Sequence, residues 1–269
     1  MTLPVALSIA GSDSGAGAGI QADMKTFAAL GVYGLTVITA ITAQNTVGVR
    51  AVQEVDAAVV TAQLDAVAED FSIGALKTGM LSSAAIIEVV AAGIKRHRLR
   101  PLVVDPVMIA KSGDRLLRED AVEALRRRLL PLAHVVTPNI PEAEVLSRRS
   151  IRTRDDRVAA ARAIMDLGAP SVVIKGGHSE DDPVVDLLVD RQGVHEYRAA
   201  RIVTTNTHGT GCTFSAAIAA GLATGLDVAQ AVAQARDYVS RALASAPGLG
   251  HGHGPLNHFP AVQLAHARN

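Results

Sequence analysis

One short run of the chain, Asn206-Thr207-His208-Gly209-Thr210-Gly211-Cys212-Thr213, has the residue types for chemistry on a phosphate. Gly209 and Gly211 let the backbone turn tightly and come close to a ligand. The run joins a strand-like stretch, Arg201 to Thr205, to an Ala-rich helical stretch, Phe214 to Thr224. Its amides open a helix, where unpaired N–H groups and the helix dipole favour an anion. Cys212, the only cysteine, stands at that turn. A free cysteine is often a small buried apolar residue, but this position argues for reactivity. A helix N-terminus stabilises a thiolate and lowers a pKa that starts near about 8.5. Such a thiol can take a proton from a substrate hydroxyl, or attack as a nucleophile if a base is paired with it. His208 is near in sequence, but nothing in the sequence aims it at Cys212.

Other polar residues follow apolar runs. Asp105 ends a strand of apolar residues, where a carboxylate is costly unless it has a partner. Asn139 and Glu142, three apart, have the spacing of a helix capping box, and carboxylates and amides near strand ends can also hold Mg²⁺ through water. Lys175-Gly176-Gly177-His178 is equally compatible with a phosphate contact and with a solvated surface turn. Gly15 to Asp23 contains a G-x-G-x-x-A pattern after a strand. A dinucleotide fold would use it for pyrophosphate, but the acidic residue expected about twenty positions on is missing, and Gln44-Asn45 stands there. Asp23 could merely complement a helix dipole. Neither Lys77-Thr78 nor Lys111-Ser112 has the glycine a P-loop requires. The tail Gly250 to Phe259 holds three histidines, yet its Gly-His-Gly-His spacing lacks the framework of a zinc site; a glycine-rich covering loop fits it better.

The elements that must position these groups alternate. Strands are expected at Val5 to Ala10, Leu35 to Ala43, Ile73 to Lys77, Leu102 to Asp105, His134 to Thr137 and Val172 to Lys175. Helices are expected at Gly19 to Leu30, Ala57 to Glu69, Ser83 to His97, Asp120 to Leu130 and Asp156 to Leu167. A hairpin, Val184 to Val189 and Gly193 to Tyr197, precedes two final helices, Cys212 to Thr224 and Val228 to Ala246. This order predicts a mostly parallel sheet covered on both faces. Ligands then bind beyond the carboxyl ends of the strands, which is where Ser12-Asp13, Gln44-Asn45, Asp105 and Asn139 fall. No linker or internal repeat interrupts the chain, which predicts one domain over residues 1–269.

Hydrophobic residues are 49% of the sequence and aromatics 3%, which suits aliphatic buried strands. The formal net charge is zero, which disfavours nucleic-acid and anionic-membrane partners. A lone cysteine excludes an intrachain disulfide, and neither a signal peptide nor a membrane span is visible. A cytoplasmic location is expected.

Taken together, the segments AGSDSGAGAGIQADMKTFAALGVYG (10–34), AQNTVGV (43–49), KTGML (77–81), VDPVMIAKSGDRLL (104–117), TPNIPEAEVL (137–146), IKGGH (174–178), NTHGTGCTFSAAIAAGL (206–222) and GHGHGPLNHF (250–259) resemble the ribokinase-like superfamily. More closely, the chain resembles the bacterial hydroxymethylpyrimidine/phosphomethylpyrimidine kinases of thiamine biosynthesis. The resemblance implies a three-layer α/β/α sandwich, usually a homodimer, that uses Mg²⁺ and ATP. It implies phosphorylation of 4-amino-5-hydroxymethyl-2-methylpyrimidine to the monophosphate and then the diphosphate. By the same resemblance, Asp23 and Gln44 match pyrimidine-binding positions, and Gly11, Met80 and Val107 match others lining that pocket. Asp105, Asn139 and Glu142 match positions near Mg²⁺ and the phosphates, with Asp105 and Glu142 toward the metal. Lys175 matches a phosphate-contacting lysine. Gly209, Thr210, Gly211 and Cys212 match the anion hole and its base. Most sugar kinases of the superfamily carry Asp where Cys212 stands. Pyridoxal kinases that share the cysteine are the alternative, since both substrates are flat N-heterocycles with a hydroxymethyl group.

Overall fold

Alternation along the central strands sorts their side chains into two cores. In β1 (Val5–Asp13), Leu7 and Ile9 point to one face and Ala6 to the other. In β5 (Leu102–Val104), β6 (Val135–Val136) and β7 (Val172–Ile174), Leu102, Val104, Val136, Val172 and Ile174 join Leu7, while Val103, Val135 and Val173 join Ala6. Both faces are apolar, so both must be covered. The computed structural model describes residues 3–109, 113, 119–178 and 182–260. Lys111-Ser112 and most of the 110–117 segment lie outside the described residues.

The sheet has nine strands, completed by β2 (Tyr33–Gln44), β3 (Val49–Glu54), β4 (Ala75–Thr78), β8 (Val184–Val189) and β9 (Val194–Ala199), in the order β3-β2-β1-β4-β5-β6-β7-β8-β9. Pairing is parallel from β2 through β1, β4, β5 and β6 to β7. The edge pairs β2–β3, β7–β8 and β8–β9 are antiparallel. One face carries α2 (Ala57–Asp70), α3 (Ala84–Arg96), α4 (Glu119–Ala124), α5 (Ile140–Ser147) and α6 (Arg154–Met165); the other carries α1 (Gly19–Ala29), α7 (Thr210–Ala223) and α8 (Val228–Ala244). This is the expected α/β/α sandwich.

The second face is packed around α7, in which every residue from Thr213 to Leu222 is buried. A helix buried all round suits its Ala-rich sequence. Small side chains let α8 come close, and a Cβ built on Gly221 would lie 3.0 Å from that of Ala231.

Three expectations differ from the structure. Arg201 to Thr205 is rich in β-branched residues but forms no strand; no strand among the described residues forms a ladder with it, and propensity alone does not make one. Val49–Glu54, which has no apolar run, is the edge strand β3, with Arg50 to Gln53 exposed. The expected helix Asp120 to Leu130 is α4 followed by a π-helical turn at Leu125–Leu129 and a 3₁₀ turn at Leu130–Leu132; Pro131 allows no further α-turn.

Candidate active site

The strand order reverses between β1 and β4, because the chain continues outward to β2 and β3 on one side and to β5 on the other. Such a switch point leaves a crevice beyond the carboxyl ends of the strands. A cleft of about 530 Å³ lies there. Its lining includes Gly11, Gln44, Met80, Asp105, Val107, Asn139, Glu142, Lys175, Gly209, Thr210, Gly211 and Cys212. Of the residues matched by resemblance, only Asp23 is missing from that wall.

The glycine turn after β1 is built on Asp13, which is 3% exposed. Its Oδ1 accepts the Gly15 amide at 2.8 Å, and its Oδ2 accepts the amides of Gly17 at 3.1 Å and Ala18 at 2.8 Å. His208 Nε2 lies 2.8 Å from the same Oδ2. Burial works against the Asp13 carboxylate, but the His208 hydrogen bond and these amides hold its pKa below the usual value. These loop amides are therefore already occupied by a protein carboxylate, which is the physical reason the pyrophosphate reading of G-x-G-x-x-A does not apply. His208 faces Asp13 and also lies 3.5 Å from Gln44 Nε2. Gln44 Oε1 accepts from Thr42 Oγ1 at 3.2 Å. With such long contacts, the Gln44 amide keeps donor and acceptor capacity for a ligand.

Helix α7 starts at Gly209, whose φ of 84° is left-handed. A Cβ there would collide with the Gly17 carbonyl oxygen, so glycine is required twice over. Thr210 Oγ1 closes the turn by donating to the Thr207 carbonyl at 2.8 Å. The Gly211 and Cys212 amides belong to the first turn, where no helical acceptor exists. A Cβ on Gly211 would lie 3.3 Å from Lys175 Nζ and 3.8 Å from Asp105 Oδ2. That glycine faces the charged floor of the cleft.

The Gly19 amide at the start of α1 favours the Cys212 thiolate, so the starts of α1 and α7 both act on it. The helix ends alone predict a lowered thiol pKa. Burial outweighs them, and Asp23 and Asp105 add to it, pushing the thiol up to about 11 despite Lys77. The expected low pKa is therefore corrected: desolvation exceeds the dipole effect.

Asp23 is wholly buried on the α7 side of the sheet. Its Oδ2 accepts from Ser8 Oγ at 2.5 Å and its Oδ1 accepts from Lys77 Nζ at 3.1 Å. Burial raises its pKa against the pull of Lys77 and Ser8. Desolvation also opposes the Lys77 charge, but Asp23, Cys212 and Asp105 together hold that ammonium above the usual lysine pKa. Asp23 is 0% exposed and absent from the cleft lining, so the direct pyrimidine contact implied for it is not made from this arrangement.

Asp105 finds the partner its burial requires. Lys175 Nζ donates to its Oδ1 at 3.0 Å and Ser215 Oγ to its Oδ2 at 3.2 Å. Burial disfavours both charges of the pair, yet each stabilises the other: Lys175 and Lys77 lower the Asp105 pKa, and Asp105 and Glu142 raise that of Lys175. The lysine is thus no solvated surface residue. Asn139 and Glu142 form the expected capping box of α5, at 2.8 and 2.9 Å. The same two side chains line the cleft. Burial pushes Glu142 up to about 7; Lys175 opposes it by more than Asp105 adds to it. Among the described residues, no group of three or more His, Cys, Asp or Glu could cage a metal. Two carboxylates without a third ligand suit Mg²⁺, which keeps waters and is otherwise held by phosphate oxygens.

The glycine-rich tail is a strap. The His251 and His253 amides donate to Thr46 Oγ1 at 3.2 Å and the Thr46 carbonyl at 2.8 Å. The His208 amide donates to the Gly254 carbonyl at 3.0 Å. His258, 3% exposed, lies 3.0 Å from Thr213 Oγ1, and its carbonyl accepts from Tyr238 Oη at 2.6 Å. Backbone amides at 251 and 253 and the His258 side chain fasten this segment, as the covering-loop reading expects.

Sequence reasoning missed Lys77, the His208 contact with Asp13, and Asp186. Asp186 Oδ1 accepts the Gly176 amide at 2.7 Å and so orients the Lys175 turn. The aspartates ending β1 and in β8 were visible in the sequence, but their partners are not adjacent in it.

The phosphomethylpyrimidine kinase family model matches residues 13–257. The hydroxymethylpyrimidine/phosphomethylpyrimidine kinase of Rhizobium meliloti strain 1021 is 54% identical over 258 residues, covering 95% of this chain and 97% of that protein. Among solved structures, an ADP complex of Bacillus subtilis pyridoxal kinase superposes with a TM-score of 0.90 at 40% identity, covering 97% of this chain and 99% of that one. The phosphomethylpyrimidine kinase of Clostridium difficile superposes with a TM-score of 0.80 at 44% identity, covering 89% and 99%. With the family model matched over nearly the whole sequence, the chain belongs to the phosphomethylpyrimidine kinase family.

Proposed function

We propose that this protein is an ATP-dependent kinase of thiamine biosynthesis, formed by one domain over residues 1–269. It phosphorylates 4-amino-5-hydroxymethyl-2-methylpyrimidine to the monophosphate and then to the diphosphate. The observation that carries this reading is the meeting of Cys212, Gly211, Lys175 and Asp105 on one cleft that Gln44 also lines. Gln44 suits an aminopyrimidine edge, since its amide both donates and accepts. Gly11, Met80 and Val107 form the walls beside the ring.

As its thiolate, Cys212 accepts the hydroxyl proton as the oxygen attacks the γ-phosphorus in line and ADP leaves with the electron pair of the β–γ bridging oxygen. Lys175 and the first-turn amides of α7 stabilise the charge on the transferring group, and positioning and electrostatics supply most of the acceleration. Asp105 and Glu142, with Asn139 beside them, would hold Mg²⁺ through water; when bound it neutralises phosphate charge. The second transfer uses a phosphate oxygen as nucleophile and needs no strong base. The protein acts in the cytoplasm as a homodimer on small molecules, without nucleic acid or membrane; no described helix is long and apolar enough to cross a membrane.

A pyridoxal kinase is the second reading, favoured by the TM-score of 0.90 to the Bacillus subtilis pyridoxal kinase. The higher identity to the Rhizobium meliloti enzyme favours the pyrimidine. Mass spectrometry of products from Mg²⁺-ATP with the pyrimidine, and with pyridoxal in parallel, decides between them. Pyrimidine mono- and diphosphate are expected; pyridoxal phosphate alone would overturn the assignment.

A further inference from the structure

The Gln44 carboxamide has two settings related by a half-turn, and its neighbours distinguish them. Asp13 is an acceptor only: three backbone amides and His208 converge on it and hold its pKa below the usual value. His208 Nε2, 2.8 Å from Asp13 Oδ2, therefore carries a proton and donates it there. That nitrogen cannot also accept from the Gln44 amide nitrogen 3.5 Å away. The other end of the carboxamide meets the same difficulty. Thr42 Oγ1 has a single proton. It lies 2.9 Å from the Ser12 carbonyl and 3.2 Å from Gln44 Oε1, both acceptors, and the shorter contact takes the proton. Both neighbours are buried, Thr42 at 4% and His208 at 6% exposed, so bulk water does not screen the conflict. A half-turn of the carboxamide makes both contacts attractive at unchanged spacing. Nε2 then donates to Thr42 Oγ1, and Oε1 lies beside the His208 N–H.

We propose that Thr42 and the Asp13–His208 pair are positioning residues that set the orientation of the substrate ring, by locking the Gln44 carboxamide with Oε1 toward His208 and Nε2 toward Thr42. The inference rests on the reading of the substrate as an aminopyrimidine. One N–H and one lone pair of Gln44 stay free for the ligand, in a fixed order. The ring nitrogen accepts from Nε2, and the adjacent amino group donates to Oε1. The carbon bearing that amino group neighbours the carbon bearing the hydroxymethyl. Pairing the amino group on the His208 side therefore brings the hydroxymethyl to the side where α7 starts, at Gly209, and where Cys212 stands. The other setting would turn the ring over and carry the hydroxymethyl toward Thr42. The same order works against pyridoxal. Its aldehyde oxygen, in the place of the amino group, would face Oε1, acceptor against acceptor.

NMR on the full-length wild type, without substrate, reads the amide setting directly. The Gln44 side-chain NH2 signals are assigned by their loss in Gln44→Glu, and their cross-relaxation to neighbouring protons is measured. Cross-peaks to the Thr42 methyl, stronger than any to the His208 ring protons, are expected. Stronger cross-peaks to the His208 ring, or equal ones to both, would overturn the inference.

Kinetics then reads whether the setting governs recognition. Thr42→Val keeps the shape and removes the acceptor for Nε2, whereas Thr42→Ser keeps it. Loss of one ordering hydrogen bond is expected to raise KM for the pyrimidine about tenfold in Thr42→Val, with KM for ATP within about twofold. The preference over pyridoxal narrows in the same variant, and Thr42→Ser restores both. A merely structural role would move both KM values together. An unchanged KM for the pyrimidine, or an equal rise for ATP, overturns the inference. If Thr42→Val does not fold, the wild-type cross-peaks decide. The substrate reading fails separately, if the wild type does not phosphorylate the pyrimidine whatever the cross-peaks show.

Discussion

Replacing Gly211 with alanine should separate the stability of α7 from its chemistry. Gly211 is helical with no positive φ, and its added methyl would lie 3.3 Å from Lys175 Nζ. The neighbour is the far end of a flexible side chain, so the fold can absorb the contact by a few tenths of an ångström. Helix propensity favours alanine by up to about 1 kcal/mol, equivalent to about 2 °C in Tm for a chain of this size. Stability should hold or rise slightly. The same methyl occupies the approach to the Lys175–Asp105 pair, 3.8 Å from Asp105 Oδ2, where the transferring phosphoryl oxygens are proposed to sit. A displacement of about 1 Å, or loss of one anion-hole donor, costs about 100-fold. Thermal unfolding and a coupled ADP assay on the same preparation measure both quantities. A kcat within threefold of wild type, with Tm maintained, would refute the placement of the phosphoryl group over Gly211.

Gly209→Ala meets the opposite fate: its φ of 84° and the collision with the Gly17 carbonyl predict a loss of several °C in Tm, read by calorimetry. Cys212→Ser should lower kcat of the first transfer by about 100-fold or more, leave ATP binding within about threefold, and spare the second transfer, as single-turnover assays on each substrate would reveal. His258 has its pKa pushed down to about 4 by burial and by Lys25, from an ordinary 6.5. The unfolded chain therefore binds this proton first as pH falls. Stability is complete above about 6.5 and is lost as pH drops toward 4, by about 2 kcal/mol between 6.5 and 5. His258→Gln should remove that part of the slope in urea titrations at pH 7 and pH 5.

Much of the architecture was legible because aliphatic runs such as Val5 to Ala10 and Leu102 to Val104 are buried on both faces and stand out without alternation. The edge strand β3 was not, since its residues from Arg50 to Gln53 are exposed on both faces and carry no apolar pattern. The cleft residues Gln44, Asp105, Lys175 and Cys212 were identified because each follows a recognisable strand or opens a helix. Their electrostatics were not legible. The depth that raises Cys212 and Glu142, and the Lys77–Asp23 pair separated by 54 positions, come from packing that no local pattern encodes. Asp13 and His208, 195 positions apart, illustrate the same limit.

The strap has a consequence for synthesis. Every candidate site residue lies at or before Cys212, yet Thr46 beside Gln44, and the His208 backbone, are tied down by residues 251–254. His258 fastens Thr213 just after the cysteine. A nascent chain therefore carries the whole catalytic complement tens of residues before it can clamp it. Competence is then expected only once residues 251–258 have left the ribosome and docked. A chain cut before residue 251 is expected to fail without losing a single candidate group.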